Sequence, residues 1–180
     1  ALAEGVELRG GYAGVGARNP DARDPLRYPT ILSGELGTPG VVSDNTQLIA
    51  SITTGTVKID GLTIRDGFGP NASGLKVTNA TVFLSDVRFL ENQSEISASG
   101  GAGGAVFINL SNGAIQSCHF EGNKSITGGA IFLDVGAIPI VDCTFVNNTA
   151  TPHPSLGGGG GGAIWGAWGF QLVRSCLFEG

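Results

Sequence analysis

A short motif recurs three times in the chain and determines its organisation. Two glycines, an alanine, a branched apolar residue and an aromatic residue begin at Gly103, at Gly128 and at Gly161. In each copy a phenylalanine stands 16 residues after the second glycine. The first two copies are 25 residues apart and the last two are 33 residues apart. Repeats of this length are typical of solenoid proteins, in which consecutive units stack on one another.

The local pattern inside each repeat indicates strands. Val106, Ile108 and Leu110 alternate with polar or small residues, and the segment 131–135 shows the same alternation. Alternation with a period of two is the pattern of a β-strand that has one buried face. Short strands joined by Gly, Asn and Asp turns therefore predict an all-β fold. We expect a single parallel β-helix of about six or seven coils, in which equivalent residues stack roughly 4.8 Å apart.

Alignment of the repeats predicts which side chains stack in the core. Because cysteine shares one ladder with valine, we expect buried free thiols, with a disulfide between neighbouring coils as the alternative. The asparagines are expected in turns, where asparagine tolerates the left-handed conformation and its amide can bond the next coil. Two apolar ladders are Leu75, Val106, Ile131 and Ile164, and Leu84, Ile115, Ile140 and Val173. The other structural ladders are Val87, Cys118, Cys143 and Cys176; Phe89, Phe120, Phe145 and Phe178; and Asn92, Asn123 and Asn148.

An outward ladder is the candidate ligand or interface site. Strand parity places Lys76, Phe107, Phe132 and Trp165 on the outer face, and Trp168 is a candidate extension of this aromatic strip. Exposed apolar strips are typical of interfaces. The alternatives are contact with another subunit, stacking on sugar rings, or cover by a loop of the same chain, either residues 14–28 or glycines 157–162.

Residues 1–58 are irregular, whereas residues 59–180 hold the regular coils, and we expect one domain overall. A glycine-rich insertion at residues 152–162 lengthens the last repeat. The irregular part contains a charged loop, residues 14–28, whose Asp21 and Asp24 offer too few oxygen ligands for a typical calcium site. We expect these carboxylates to form ion pairs with the arginines of the same loop. The start of the chain has no leader pattern, so we expect a processed protein or a fragment of a longer one.

Composition argues against two classes of partner. Ten Lys and Arg residues against fifteen Asp and Glu residues give a net charge of −5, which argues against nucleic-acid binding. The stretch 156–173 contains no charged residue, but its six consecutive glycines exclude a membrane-spanning helix.

Candidate catalytic groups do not converge in the alignment. Asp86 and Asp142 share a position, but the coils between and after them carry serine there. The basic residues do not fall into one ladder, and the chain has two histidines. General acid and base catalysis needs such groups within hydrogen-bond reach of one bond. We therefore predict no catalytic residue and no cofactor. The spacing of the three cysteines, without a Cys-x-x-Cys pair, argues against a zinc site, and we predict no metal.

The paired Gly-Gly-Ala-Ile/Val and Phe-x-x-Asn motifs, read in residues 103–123 and 128–148, resemble the repeats of polymorphic outer-membrane proteins. They are also similar to secreted bacterial proteins with right-handed parallel β-helix repeats. The resemblance implies a right-handed helix and a secreted, extracellular or cell-surface location. We expect a structural or adhesive protein that is not an enzyme. We expect it to self-associate through its coil ends, forming filaments, or through the aromatic strip, with glycans as further partners. The alternative is a polysaccharide-binding or polysaccharide-degrading protein, because lyases and hydrolases also use this fold.

Overall fold

The computed structural model describes residues 1–94, 101–153, 160–168 and 172–180, and these residues form six coils. The first coil contains β1 (Glu7–Arg9) and β2 (Thr30–Ser33), and a 3-10 turn at Val42–Asp44 follows it. The second contains β3 (Ala50–Ile52), β4 (Thr56–Asp60), β5 (Leu62–Arg65) and β6 (Phe68–Gly69). The third contains β7 (Leu75–Thr78), β8 (Thr81–Ser85), β9 (Arg88–Leu90) and β10 (Gln93–Ser94).

The remaining coils repeat the same order of strands. The fourth contains β11 (Val106–Asn109), β12 (Asn112–Gln116), β13 (His119–Glu121) and β14 (Lys124–Ser125). The fifth contains β15 (Ile131–Val135), β16 (Ile140–Val141), β17 (Thr144–Val146) and β18 (Thr149–Ala150). The sixth contains β19 (Ile164–Trp168), β20 (Val173–Arg174) and β21 (Leu177–Glu179).

Four parallel sheets run along the stack of coils. The sheet orders are β1-β4-β8-β12-β16-β20, β2-β5-β9-β13-β17-β21, β3-β7-β11-β15-β19 and β6-β10-β14-β18. Each strand pairs with the equivalent strand of the coil before and after it, as in Val106 opposite both Leu75 and Ile131. This topology confirms the predicted all-β parallel β-helix.

The core lies inside the coils and consists of stacked apolar side chains. Leu75, Val106 and Ile131 are fully buried, and so are Phe89 and Phe120. The strands pair in the register that the repeat alignment predicts, with Phe120 opposite both Phe89 and Phe145. The three phenylalanine rings lie nearly parallel, with centroids 5.0 and 4.8 Å apart. Burial of such large side chains is the main favourable contribution to folding.

The paired glycines of the repeated motif have two separate backbone roles. Gly103 has a φ of +61°, in the left-handed region that a side chain disfavours. Gly104 has no room for a side chain, because a Cβ there would lie 2.2 Å from the Gly129 carbonyl oxygen of the next coil. The motif therefore marks a tight corner at which consecutive coils approach through their backbones.

Candidate functional site

A buried asparagine ladder connects the coils at the corner after the phenylalanine strands. The Asn123 side-chain amide donates to the Phe89 carbonyl oxygen at 2.9 Å and to Asn148 Oδ1 at 2.9 Å. Its Oδ1 accepts from the Asn92 backbone N–H at 3.0 Å and from Asn92 Nδ2 at 3.1 Å. Both Asn92 and Asn123 are fully buried. The expectation that these amides bond from coil to coil agrees with this geometry.

The left-handed conformation lies one residue earlier than we expected. At this corner, the residues with positive φ are Glu91, Gly122 and Asn147, and each of them immediately precedes a ladder asparagine. The asparagines themselves are needed for their side-chain hydrogen bonds and not for a left-handed backbone. The expectation of a left-handed asparagine was therefore wrong. One residue makes the sharp turn, and the asparagine that follows it forms the hydrogen bonds to the neighbouring coils.

The cysteine ladder consists of three free thiols. Cys118 and Cys143 are buried, and Cys176 of the last coil is half-buried. The Cys118 backbone N–H donates to Cys143 Sγ at 3.4 Å, and the Cys118 thiol donates to the Gln116 carbonyl oxygen at 3.3 Å. Burial raises the pKa of the Cys118 thiol well above its ordinary value. The buried Cys118 thiol is therefore held in its neutral, unreactive form.

The outward residues of the aromatic strip stack on one another along the helix axis. Phe107 and Phe132 have centroids 5.3 Å apart with an angle of 3° between their planes, and Phe132 and Trp165 are 4.5 Å apart. Lys76 Nζ lies 5.7 Å from the Phe107 centroid, so the cation covers the free face of that ring. All of these residues are half-buried.

This stacking bears on what the strip can bind. A sugar stacks on the face of an aromatic ring, but the faces of Phe107 and Phe132 are already covered by their neighbours in the stack. Trp168 is 71% exposed and pairs with Val135. It lies an odd number of residues from Trp165, and none of the described residues joins it to the stack by a ring contact. The strip is therefore a ladder on the outer face whose rings stack on one another, and Trp168 is a separate exposed ring.

The two loops named as possible covers lie in different places. Gly160 packs directly on Trp165, since a Cβ on Gly160 would lie 1.9 Å from Cδ1 of that indole. Within the predicted cover, glycines 157–162, residues 157–159 lie outside the described residues. Three residues of the charged loop, Asp24, Pro25 and Leu26, lie instead against the sheet that contains β9 and β13. This part of the charged loop therefore faces a different sheet from the one that carries the aromatic strip.

Long-range contacts hold the charged loop in place. Arg23 forms an ion pair with Asp60 at 2.7 Å and donates from Nε to the Gly10 carbonyl oxygen at 2.9 Å. Asp24 accepts hydrogen bonds at 3.0 Å from the backbone N–H groups of Leu26 and Arg27. The expectation of ion pairs within the loop was wrong for these two residues. Arg23 pairs with the next coil, and the carboxylate of Asp24 closes a local turn.

A groove of about 470 Å³ separates the loop from the sheet. Asp24, Pro25 and Leu26 form the loop side of the groove. The floor comes from two neighbouring coils, and each coil contributes one turn residue and one strand residue: Asp86 and Arg88, and Ser117 and His119. Asp86 and Ser117 have φ values of 51° and 53°, so both occupy the same left-handed turn.

The groove residues differ in whether their polar groups form hydrogen bonds or ion pairs within the protein. His119 Nε2 lies 3.0 Å from Glu121 Oε2, which fixes the orientation of the imidazole ring. The half-buried guanidinium of Arg88 has no ion pair or hydrogen bond with any residue in the described ranges. Sequence reasoning missed this site, because the repeat alignment gives no information on where the irregular loop packs.

Metal-binding geometry is not found in the described part of the chain. Within residues 1–94, 101–153, 160–168 and 172–180, no three histidine, cysteine or acidic side chains group so that they could hold a metal ion. No helix among these residues is long and apolar enough to cross a membrane.

A family match agrees with the motifs. Residues 142–167 match the model of the Chlamydia polymorphic membrane protein repeat. The segment contains Phe145, Asn148 and the third copy of the glycine motif, and its described strands belong to the parallel stack. The chain is a parallel β-helix that resembles polymorphic membrane protein repeats. This resemblance indicates a bacterial surface or outer-membrane protein. Neither the curated proteins nor the solved structures gave a match.

Proposed function

We propose that this polymorphic-membrane-protein-like chain is a structural and adhesive rod at the bacterial cell surface, and that rods join end to end. The family match supports the location, and the stacked coils support the rod. The sixth coil carries the proposal for assembly. Val173 and Phe178 are 41% and 51% exposed there, whereas the equivalent Ile140 and Phe145 of the fifth coil are 0% and 1% exposed.

The partner surface is the first coil of a second copy. Strands β1 and β2 form one edge of the two six-stranded sheets, and β20 and β21 form the opposite edges. Because these sheets are parallel throughout, the last edge of one copy can pair with the first edge of the next in the same sense. Such a head-to-tail contact does not close on itself and produces a filament.

The ladders continue across this contact. Leu8 occupies the first position of the ladder that ends at Val173, and Leu32 occupies the first position of the ladder that ends at Phe178. Stacking two copies therefore places apolar residues on apolar residues. Completing the burial of two half-exposed side chains contributes about 1 kcal/mol each, in addition to the new strand pairing.

Electron microscopy over a range of protein concentrations tests the proposal. We expect filaments of the wild type at high concentration and isolated particles of Val173→Asp, because a carboxylate at this position loses its water in the contact. Val15→Asp is the matched control, since Val15 lies fully exposed in the charged loop. Isolated wild-type particles at every concentration would exclude end-to-end assembly. Unchanged filaments of Val173→Asp would exclude assembly through the sixth coil.

A further inference from the structure

The groove between the charged loop and the sheet combines features that recognise a polyhydroxyl ligand. It offers donors and acceptors side by side: the Arg88 guanidinium, the Ser117 hydroxyl and the carboxylates of Asp24 and Asp86. Pro25 and Leu26 form an apolar wall opposite Arg88, Asp86 and Ser117, and Leu26 is 76% exposed. A volume of about 470 Å³ lies within the range of small-molecule sites in proteins.

The charge of the groove selects against acidic ligands. Two carboxylates face one guanidinium in the lining, and the carboxylate of Glu121 lies beside His119. The whole chain also carries a net charge of −5. An anionic polysaccharide is repelled by this field, whereas a neutral sugar is not. We propose that this groove binds a neutral saccharide.

Three charged residues of the lining then have defined roles in binding. Arg88 donates to sugar oxygens, and its guanidinium is available because it has no partner among the described residues. Asp86 accepts from sugar hydroxyls. Asp24 uses Oδ1 for its own turn, while its Oδ2 accepts no hydrogen bond from a described residue. The C–H groups of the sugar pack on Pro25 and Leu26.

The groove is held open before any ligand binds. The ion pair between Arg23 and Asp60 anchors the loop to the second coil. The Asp24 backbone N–H donates to the Gly11 carbonyl oxygen at 2.7 Å, which fixes the start of the apolar wall. The opposite side consists of paired strands. Little conformational entropy is therefore lost on binding.

The test is titration of the whole chain with a panel of hexasaccharides by calorimetry or by ligand-observed NMR. The neutral probes are maltohexaose, cellohexaose, laminarihexaose and mannohexaose, and the acidic probe is hexagalacturonate. We expect at least one neutral probe to bind more tightly than hexagalacturonate. We expect Arg88→Ala and Asp86→Ala each to weaken that binding about tenfold or more, because each loses charge-assisted hydrogen bonds.

Lys124→Ala is the matched control, because Lys124 is an exposed cation on β14 in a different sheet. We expect this variant to bind as the wild type does. Circular dichroism of each variant establishes that the β-helix is intact. The proposal is overturned by no binding of any neutral probe, by preference for hexagalacturonate, or by unchanged binding of a folded Arg88→Ala. None of these results depends on whether the chain forms filaments.

Discussion

Replacement of Asn123 by alanine tests whether the asparagine ladder holds neighbouring coils together. The side chain takes part in four hydrogen bonds, two as donor and two as acceptor, and it is fully buried. Its loss leaves the Phe89 carbonyl oxygen, the Asn148 amide oxygen and the Asn92 backbone N–H without these partners. Each hydrogen bond contributes about 1 kcal/mol net, and an unsatisfied buried group costs somewhat more. We therefore expect the free energy of unfolding to fall by about 4 kcal/mol.

The assay is urea-induced unfolding followed by circular dichroism. A folded chain of this length has a total stability of roughly 9–27 kcal/mol, so a loss of about 4 kcal/mol moves the midpoint clearly. Lys124→Ala is the control, because this neighbouring side chain is exposed. Asn148→Ala is expected to cost less than Asn123→Ala, because Asn148 is half-buried. A loss below about 1 kcal/mol for Asn123→Ala, or a loss equal to that of Lys124→Ala, would refute this account of the ladder.

Three further predictions concern the core. Phe120→Ala should lower the free energy of unfolding by about 3–5 kcal/mol, and Phe83→Ala should lower it far less, because Phe83 is exposed. Comparable losses for the two variants in urea unfolding would contradict the stacked core. Burial raises the pKa of Cys118, so stability should be complete below about pH 8.5 and fall as the pH rises further. As the pH rises, the melting temperature of Cys118→Val should fall less than that of the wild type. Identical pH profiles of the two proteins would contradict this prediction. Gly104→Ala should cost about 3 kcal/mol, because the new Cβ meets the Gly129 carbonyl oxygen, and a wild-type melting temperature would exclude that clash.

The repeat predicts the core of this fold well for a physical reason. A β-helix stacks identical positions on one another, so alignment of one coil on the next is also a prediction of contacts. Phe89, Phe120 and Phe145 align in sequence at one position of the motif, and the structure stacks their rings. The same reasoning predicts the cysteine ladder, because Val87 and the three cysteines occupy one equivalent position as small apolar residues.

The parts that sequence reasoning missed depend on backbone geometry or on irregular segments. The left-handed residue at the asparagine corner is Glu91, Gly122 or Asn147 in successive coils, and such mixed chemistry gives no sequence signal. The anchor of the charged loop joins Arg23 to Asp60, which are 37 positions apart in segments of different character. No periodicity connects such residues, so neither the anchor nor the groove that depends on it could be predicted.

The location of the proposed site follows from how the β-helix uses its side chains. Inward positions such as Phe120 and Asn123 are committed to stacking and hydrogen bonding between coils, so they are not available to a ligand. The outward aromatic ladder is also committed, because its ring faces cover one another. Specific recognition is then left to outward polar residues where an irregular segment supplies a second wall. Arg88 and Asp86 meet this condition, because the anchored loop with Pro25 and Leu26 stands opposite them.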